Sequence, residues 1–464
     1  MLAIIMCSGC SLAPPYVKPQ MELPPEPAAA TSSAATINIE WWKNFQDETL
    51  NLLIDEAFKN NDDLKIAVVR IEEARALLGL STANRYPLIK ADASASRERI
   101  AVMPGVPGLE GITSNFFNLS AAVAYEVDLW GKIKNQRQAA LSILLATSAG
   151  KDALQLSLAA DVATLYFNLA ALSRQMQTTE EILGRYKDIY EFRRKQYQHG
   201  VLEEIVVQQA KGQYDAAKIL LEALKEQDNV LKSTLSLLLG RTPREIFAGL
   251  QQIKPRLPEP IAVPALLPSK LLENRPDIVA AEEGLQAANF EIGVARAAYF
   301  PSLTLTGALG QQSLELKNLM DASARIWNVG GNLTAPLLDF GRISANVKIT
   351  EARQQEALLR YAKTVKTAFK EAYDALAKIE TGSNKLQAQS EEQQALDRVL
   401  TMATKKYEAG ATNYLTVLDA QRGHLSSALN LTTLQTDVIL NQIVLYKVLG
   451  GGWKRDYLGK EELR

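Results

Sequence analysis

Tyr197-Gln-His-Gly200 returns 210 residues later as Tyr407-Glu-Ala-Gly410, and that interval decides the fold. The same spacing joins Trp130-Gly131-Lys132-Ile133 to Phe340-Gly341-Arg342-Ile343, and Leu239-Gly240 to Leu449-Gly450. Arg85-Tyr-Pro87 matches Tyr299-Phe-Pro301 at an interval of 214. Four markers in one order and at nearly constant offset describe a duplicated unit of about 200 residues, far longer than a solenoid repeat. Two pseudo-equivalent halves of one architecture are expected.

Proline is absent from Gly108 to Thr242 and from Leu337 to the C-terminus, which permits very long helices. Leu158, Val162, Leu165, Leu169 and Leu172 step by 4, 3, 4, 3, and Leu220, Leu224, Leu231 and Leu238 form a similar ladder, as in coiled-coil seams. Gly200 and Gly410 stop a first leg, and Asn413 suits the cap of a returning one. Each half thus carries a helical hairpin, 131–240 and 341–449, with shorter helices at 62–85 and 277–299 beside them.

Between helices the period changes to two. Phe117, Leu119, Val123, Tyr125 and Val127 alternate with polar or small residues, as do Trp327, Val329 and Leu333 in the second copy. Strands are expected near 87–99, 115–129, 301–311 and 325–338, long enough to cross a bilayer when tilted. A soluble sheet with one wet face shows the same alternation. Four strands cannot close a membrane barrel, so either the sheet is soluble or several chains pool their strands.

Composition narrows the class. Lys plus Arg (51) and Asp plus Glu (52) nearly cancel, so nothing points to nucleic acid. The two Cys, Cys7 and Cys10, both lie in the first ten residues, and only two His are present, so neither a disulfide framework nor a metal site is expected. No run of 18 apolar residues occurs, so an ordinary transmembrane helix is not expected. No nucleotide-binding, zinc-hydrolase or nucleophile-elbow pattern appears, so neither enzyme activity nor a cofactor is expected. The apolar Met1–Met6 followed by Cys7-Ser-Gly-Cys10-Ser11 resembles the end of a bacterial lipoprotein signal. Cys10 is then the lipidated residue, followed by a Pro-rich tether.

Taken in order, several motifs resemble the outer membrane efflux protein (TolC-like) family, in its lipoprotein branch. They are Cys10-Ser-Leu-Ala-Pro-Pro-Tyr16, Trp41-Trp42-Lys-Asn-Phe45 with Asp47 and Leu50, Arg275-Pro-Asp277, Ala297-Ala-Tyr-Phe-Pro301, Leu338-Asp-Phe-Gly341 and Asn413-Tyr-Leu-Thr-Val-Leu-Asp-Ala-Gln-Arg422. The resemblance implies a predominantly α, α+β fold: a homotrimer with a periplasmic α-barrel and a 12-stranded transmembrane β-barrel. It divides the chain into a signal remnant (1–9), lipidated tether (10–40), first repeat (41–240), equatorial linker (241–268), second repeat (269–450) and equatorial tail (451–464). It also implies a passive outer-membrane conduit working with a periplasmic adaptor (membrane fusion) protein and an inner-membrane pump of the resistance–nodulation–division type. Leu415 and Asp419 match gate rings, and Arg422 and Tyr407 match the polar network of the closed state. In the first copy, Gln209 and Gly212 stand where Asp419 and Arg422 stand in the second. A one-step protein-secretion channel, a soluble periplasmic scaffold or adaptor, and a plain solvated Asp419–Arg422 pair stay open as alternatives.

Overall fold

The computed structural model describes residues 11–21, 40–100, 111–248, 255–258 and 275–452. Cys10, most of the Pro-rich stretch, much of the linker and nearly all of the C-terminal tail lie outside the described residues. In chain order the elements are α1 (Glu48–Asn60), α2 (Asp62–Ala83), β1 (Leu88–Ile100), β2 (Ile112–Val127), α3 (Lys132–Gln198), α4 (Glu204–Leu238), α5 (Pro243–Ala248), α6 (Pro276–Ala297), β3 (Ser302–Ser313), β4 (Arg325–Thr334), α7 (Arg342–Glu408) and α8 (Tyr414–Val448). The duplication is exact in helix length: α3 and α7 have 67 residues each, and α4 and α8 have 35 each.

Both hairpins turn by the same device. Gly200 and Gly410 adopt φ of 70° and 71°, the left-handed conformation that costs a glycine least. Val201 N donates to Gln196 O and Ala411 N to Lys406 O, at 2.9 and 2.8 Å. These bonds satisfy carbonyls that the helix end leaves free. Asn413 caps α8 by accepting from Thr416 N.

The chain divides into two compact units. The first contains residues 11–20, 70–100, 111–147 and 280–362. Its sheet is antiparallel in the order β1-β2-β3-β4. β2 and β4 end at Val127 and Thr334, short of the expected 129 and 338: Asp128 turns to cap α3, and Pro336, with no N–H to give the ladder, follows two residues after Thr334. Asp128 accepts from Ile133 N and Lys134 N, and Asp339 accepts from Gly341 N and Ile343 N. These bonds draw Asp339 below its usual pKa range. Trp130 Nε1 donates to Pro301 O at 2.8 Å, and its ring stacks on Phe300, tying the two repeats together. Residues 11–21 are packed rather than hanging as a tether. Ser11 donates to Asn135, Asn289 donates to Pro14 O, and Lys18 pairs with Glu282. Buried carboxylates and amides need such partners, which fixes the path of this segment.

The second unit contains residues 40–69, 148–248, 255–258, 275–279 and 363–452. Its core gathers Trp41, Trp42, Phe45, Leu50, Ile54, Leu158, Val162, Tyr166, Phe167 and Ile443. Asp47 caps α1 at Leu50 N and accepts from the Tyr166 hydroxyl at 2.6 Å. Arg275 bonds Asp277, Glu371 and Val448 O, so the Arg-Pro-Asp motif ties the start of α6 to the middle of α7 and the end of α8, both in the second hairpin. The seam of α4 runs through Val207, Ala210, Gln213, Ala217, Leu221, Leu224 and Leu235. The expected leucines 220, 231 and 238 flank it. Ala210 and Ala217 share that seam with leucines, so a count of leucines alone misplaces it. One 18-residue window of α3 is long and apolar enough for a span, but 61% of it is buried within the protein.

Candidate functional site

The site is built on the turns that end the two hairpins of the second unit. Ala210, Ala403, Tyr414, Val417, Leu418 and Ala420 are buried together there, with Ile189, Tyr190, Val206, Leu400 and Tyr407 packed around them. This packing makes α8 present one face inward and another outward. Leu415 is 56% exposed, and Asp419 and Arg422 are exposed too. These three line one open depression with Gln209, Asn413, Thr416 and Leu418. Leu415 and Asp419 are one turn apart on the same face. Gln209 faces the site from the first hairpin, at the position equivalent to Asp419.

Arg422 and Asp419 form no ion pair. The Arg422 guanidinium instead donates from Nε and, at 3.0 Å, from Nη2 to the side-chain oxygen of Gln213, with the carboxamide oriented to satisfy both groups. Gln213 is buried, so the bond joins α8 to the inner face of α4. The solvated pair within one helix, held open as the alternative, does not form; Arg422 reaches the other hairpin instead. Asp419 keeps its carboxylate directed outward.

Tyr407 enters a different network. The Arg193 guanidinium of α3 lies 4.7 Å from the Tyr407 ring centroid and 5.4 Å from that of Tyr414. The two tyrosine rings are 5.3 Å apart. Burial raises the Tyr414 pKa; Arg193 opposes the rise and Tyr407 adds to it. Burial pushes Tyr186 up to about 12, with Tyr414 adding and Arg422 opposing. Its hydroxyl donates to Gln421 O at 3.3 Å. Arg193, Tyr414, Gln213 and Tyr186 are functional neighbours that sequence reasoning missed. His424 Nε2 lies 3.5 Å from Asp397 of α7. Among the described residues no cluster of three His, Cys, Asp or Glu side chains could hold a metal ion.

The sheet offers the second candidate surface. Direct pairing puts Ile89, Val123, Gly307 and Val329 in one row, and Ala91, Ala121, Leu309 and Trp327 in the next. Phe117, Leu119, Tyr125, Val127 and Leu333 fall on the same face by alternation. Trp327 and Val329 are 74% and 82% exposed. The opposite face carries Lys90, Asp92, Asn118, Ser120, Glu126, Thr304 and Asn332.

This architecture is shared with known proteins. The profile of the outer membrane efflux protein family matches residues 53–241 and again residues 267–451, once per repeat. The chain is 33% identical over 453 residues to the cation efflux system protein CusC of Escherichia coli O6:H1, covering 97% of each. It is 35% identical over 465 residues to the solvent efflux pump outer membrane protein SrpC of Pseudomonas putida, covering 98% of this chain and 97% of that one. The crystal structure of the Campylobacter jejuni CmeC outer membrane channel superposes with a TM-score of 0.90 at 28% identity, covering 98% of both chains. The chain belongs to the outer membrane efflux protein family and is an efflux channel protein of the bacterial outer membrane.

Proposed function

We propose that three copies of this chain assemble into a passive conduit that carries small molecules outward, fed by a periplasmic adaptor and an inner-membrane pump. The observation that carries the reading is the sheet itself. It has four strands, two unpaired edges in β1 and β4, and one face of large exposed apolar side chains. Open edges are not tolerated in lipid, and about eight strands is the smallest membrane barrel. Three copies supply twelve strands and remove every edge. Phe117, Leu119, Val123, Tyr125, Val127, Trp327, Val329 and Leu333 then meet lipid, and the polar face lines the lumen.

At the hairpin turns, threefold symmetry brings three Leu415 side chains and three Asp419 carboxylates around one axis. That arrangement is an apolar constriction next to a cation-attracting ring. Three like charges repel, so other contacts hold the ring closed: Arg422 to Gln213, and Tyr407 with Tyr414 to Arg193. As a passive conduit, the channel leaves energy coupling and the main choice of substrate to the pump. Cys10 carries the lipid anchor in this reading. The test is extraction and reconstitution of the full chain. A detergent-dependent trimer that conducts ions across a planar bilayer is expected; a monomer soluble in plain buffer overturns the proposal.

A further inference from the structure

The charges on the apolar face of the sheet are sorted. Counting along the four strands, every charged residue on that face is an arginine: Arg97 and Arg99 of β1 and Arg325 of β4. All acidic strand residues, Asp92, Glu98 and Glu126, point to the opposite face. The three arginines also sit at one end, away from the helices. Arg97 and Arg99 pair with Asn115 and Thr113, beyond Phe117 in β2, and Arg325 pairs with Gln311, opposite Leu119. All three are exposed, and none is ion-paired with a described residue.

The heights fit a membrane boundary. From Val127 to Phe117 the strand advances ten residues, about 34 Å at about 3.4 Å each, or about 26 Å along the normal at a tilt near 40°. An outward apolar band about 25 Å tall is what a membrane barrel presents. Arg97 and Arg99 therefore lie about 5 and 10 Å above its upper edge. Arg325 lies just below, within reach of that level by extending its side chain. Pooling strands puts β4 of one copy beside β1 of the next, so each seam would collect all three guanidiniums.

We propose that this arginine rim binds the phosphate-bearing headgroups of lipids in the outer leaflet. The inference rests on the reading that this sheet face meets lipid. Guanidinium groups match phosphate oxygens with paired donors. Free of acids on their own face, they leave an anionic headgroup without repulsion. Apolar rows directly beneath would hold the acyl chains of the same lipid, which makes a headgroup, rather than a free anion, the occupant.

The test uses the full-length trimer in detergent, with retained lipid counted by native mass spectrometry. The probes are diphosphorylated lipid A, the same glycolipid without its phosphates, and inorganic phosphate as competitor. Wild type should retain the phosphorylated glycolipid, and Arg97→Gln/Arg99→Gln/Arg325→Gln should bind it at least about tenfold less tightly. Glu98→Gln, on the opposite face, should match wild type, and replacing the three arginines by lysine should restore part of the binding. Equal retention by wild type and the triple Gln variant overturns the rim, as does indifference to the glycolipid's phosphates. Efficient competition by inorganic phosphate overturns the assignment to lipid. A chain that needs no detergent would instead defeat the underlying lipid-facing reading, which these binding results do not touch.

Discussion

Replacing Arg193 by Ala removes a cation that bridges both tyrosines at the hairpin turns. Its guanidinium carbon is 4.7 Å from the Tyr407 ring and 5.4 Å from the Tyr414 ring, and Tyr414 is only 5% exposed. Cation–π contacts range from about 0.5 to 2 kcal/mol with increasing desolvation, so about 1 kcal/mol for each is reasonable here. The loss per protomer is then about 2 kcal/mol, a shift of about 30-fold toward the loosened arrangement. If three protomers open together the shift compounds. Single-channel recording in planar bilayers reads it as longer dwell in higher-conductance states. Arg193→Lys keeps the charge but loses the flat stacking group, so an intermediate phenotype is expected. Tyr407→Phe keeps the ring and should stay near wild type, whereas Tyr407→Leu should resemble Arg193→Ala. The double variant Arg193→Ala/Tyr407→Leu should be clearly non-additive, since the two residues touch. Strict additivity, or wild-type gating in Arg193→Ala, would refute the idea that Arg193 and the two tyrosines hold the turns together.

Three further outcomes are expected. Gly240→Ala adds a Cβ that runs into the Asn60 carbonyl at a position with φ of 67°; it should cost about 1–3 kcal/mol, read as a lowered Tm of the trimer. Val123→Arg should cost about 2–4 kcal/mol if its row meets the bilayer midplane, whereas Ala122→Arg, on the polar face, should assemble and alter conductance. Cys10→Ser should abolish metabolic labelling with palmitate while leaving a trimer, and persistent label in the variant would remove Cys10 as the anchor.

Much of the fold was legible because its signals are local. Gly200 and Gly410 end helices by their own backbone freedom, and strand alternation needs no knowledge of partners. The end of β2 was missed because Asp128 continues the alternating pattern while serving as a helix cap. The end of β4 was readable, since Pro336 has no N–H to give a ladder and Asp339 falls on the parity of the apolar face. That Leu415 and Asp419 share one face was legible from their spacing of one turn, but the contacts around them were not. Arg193 and Tyr407 are more than 200 residues apart in sequence, and Gln213 carries no motif. Which arginine meets which ring depends on how two hairpins pack. Asp419 and Arg422 at i, i+3 suggested a pair, yet a buried carboxamide offers the guanidinium a better-defined partner than a solvated carboxylate, whose attraction water screens.

Conductance of reconstituted trimers, recorded with and without multivalent cations on the periplasmic side, tests the constriction most directly. For wild type the account predicts a small, cation-selective conductance that multivalent cations block. Asp419→Ala should lose much of the selectivity and block, and Leu415→Ala should conduct more even in the closed state. Unchanged conductance and unchanged block in both variants would contradict the account and place the constriction elsewhere.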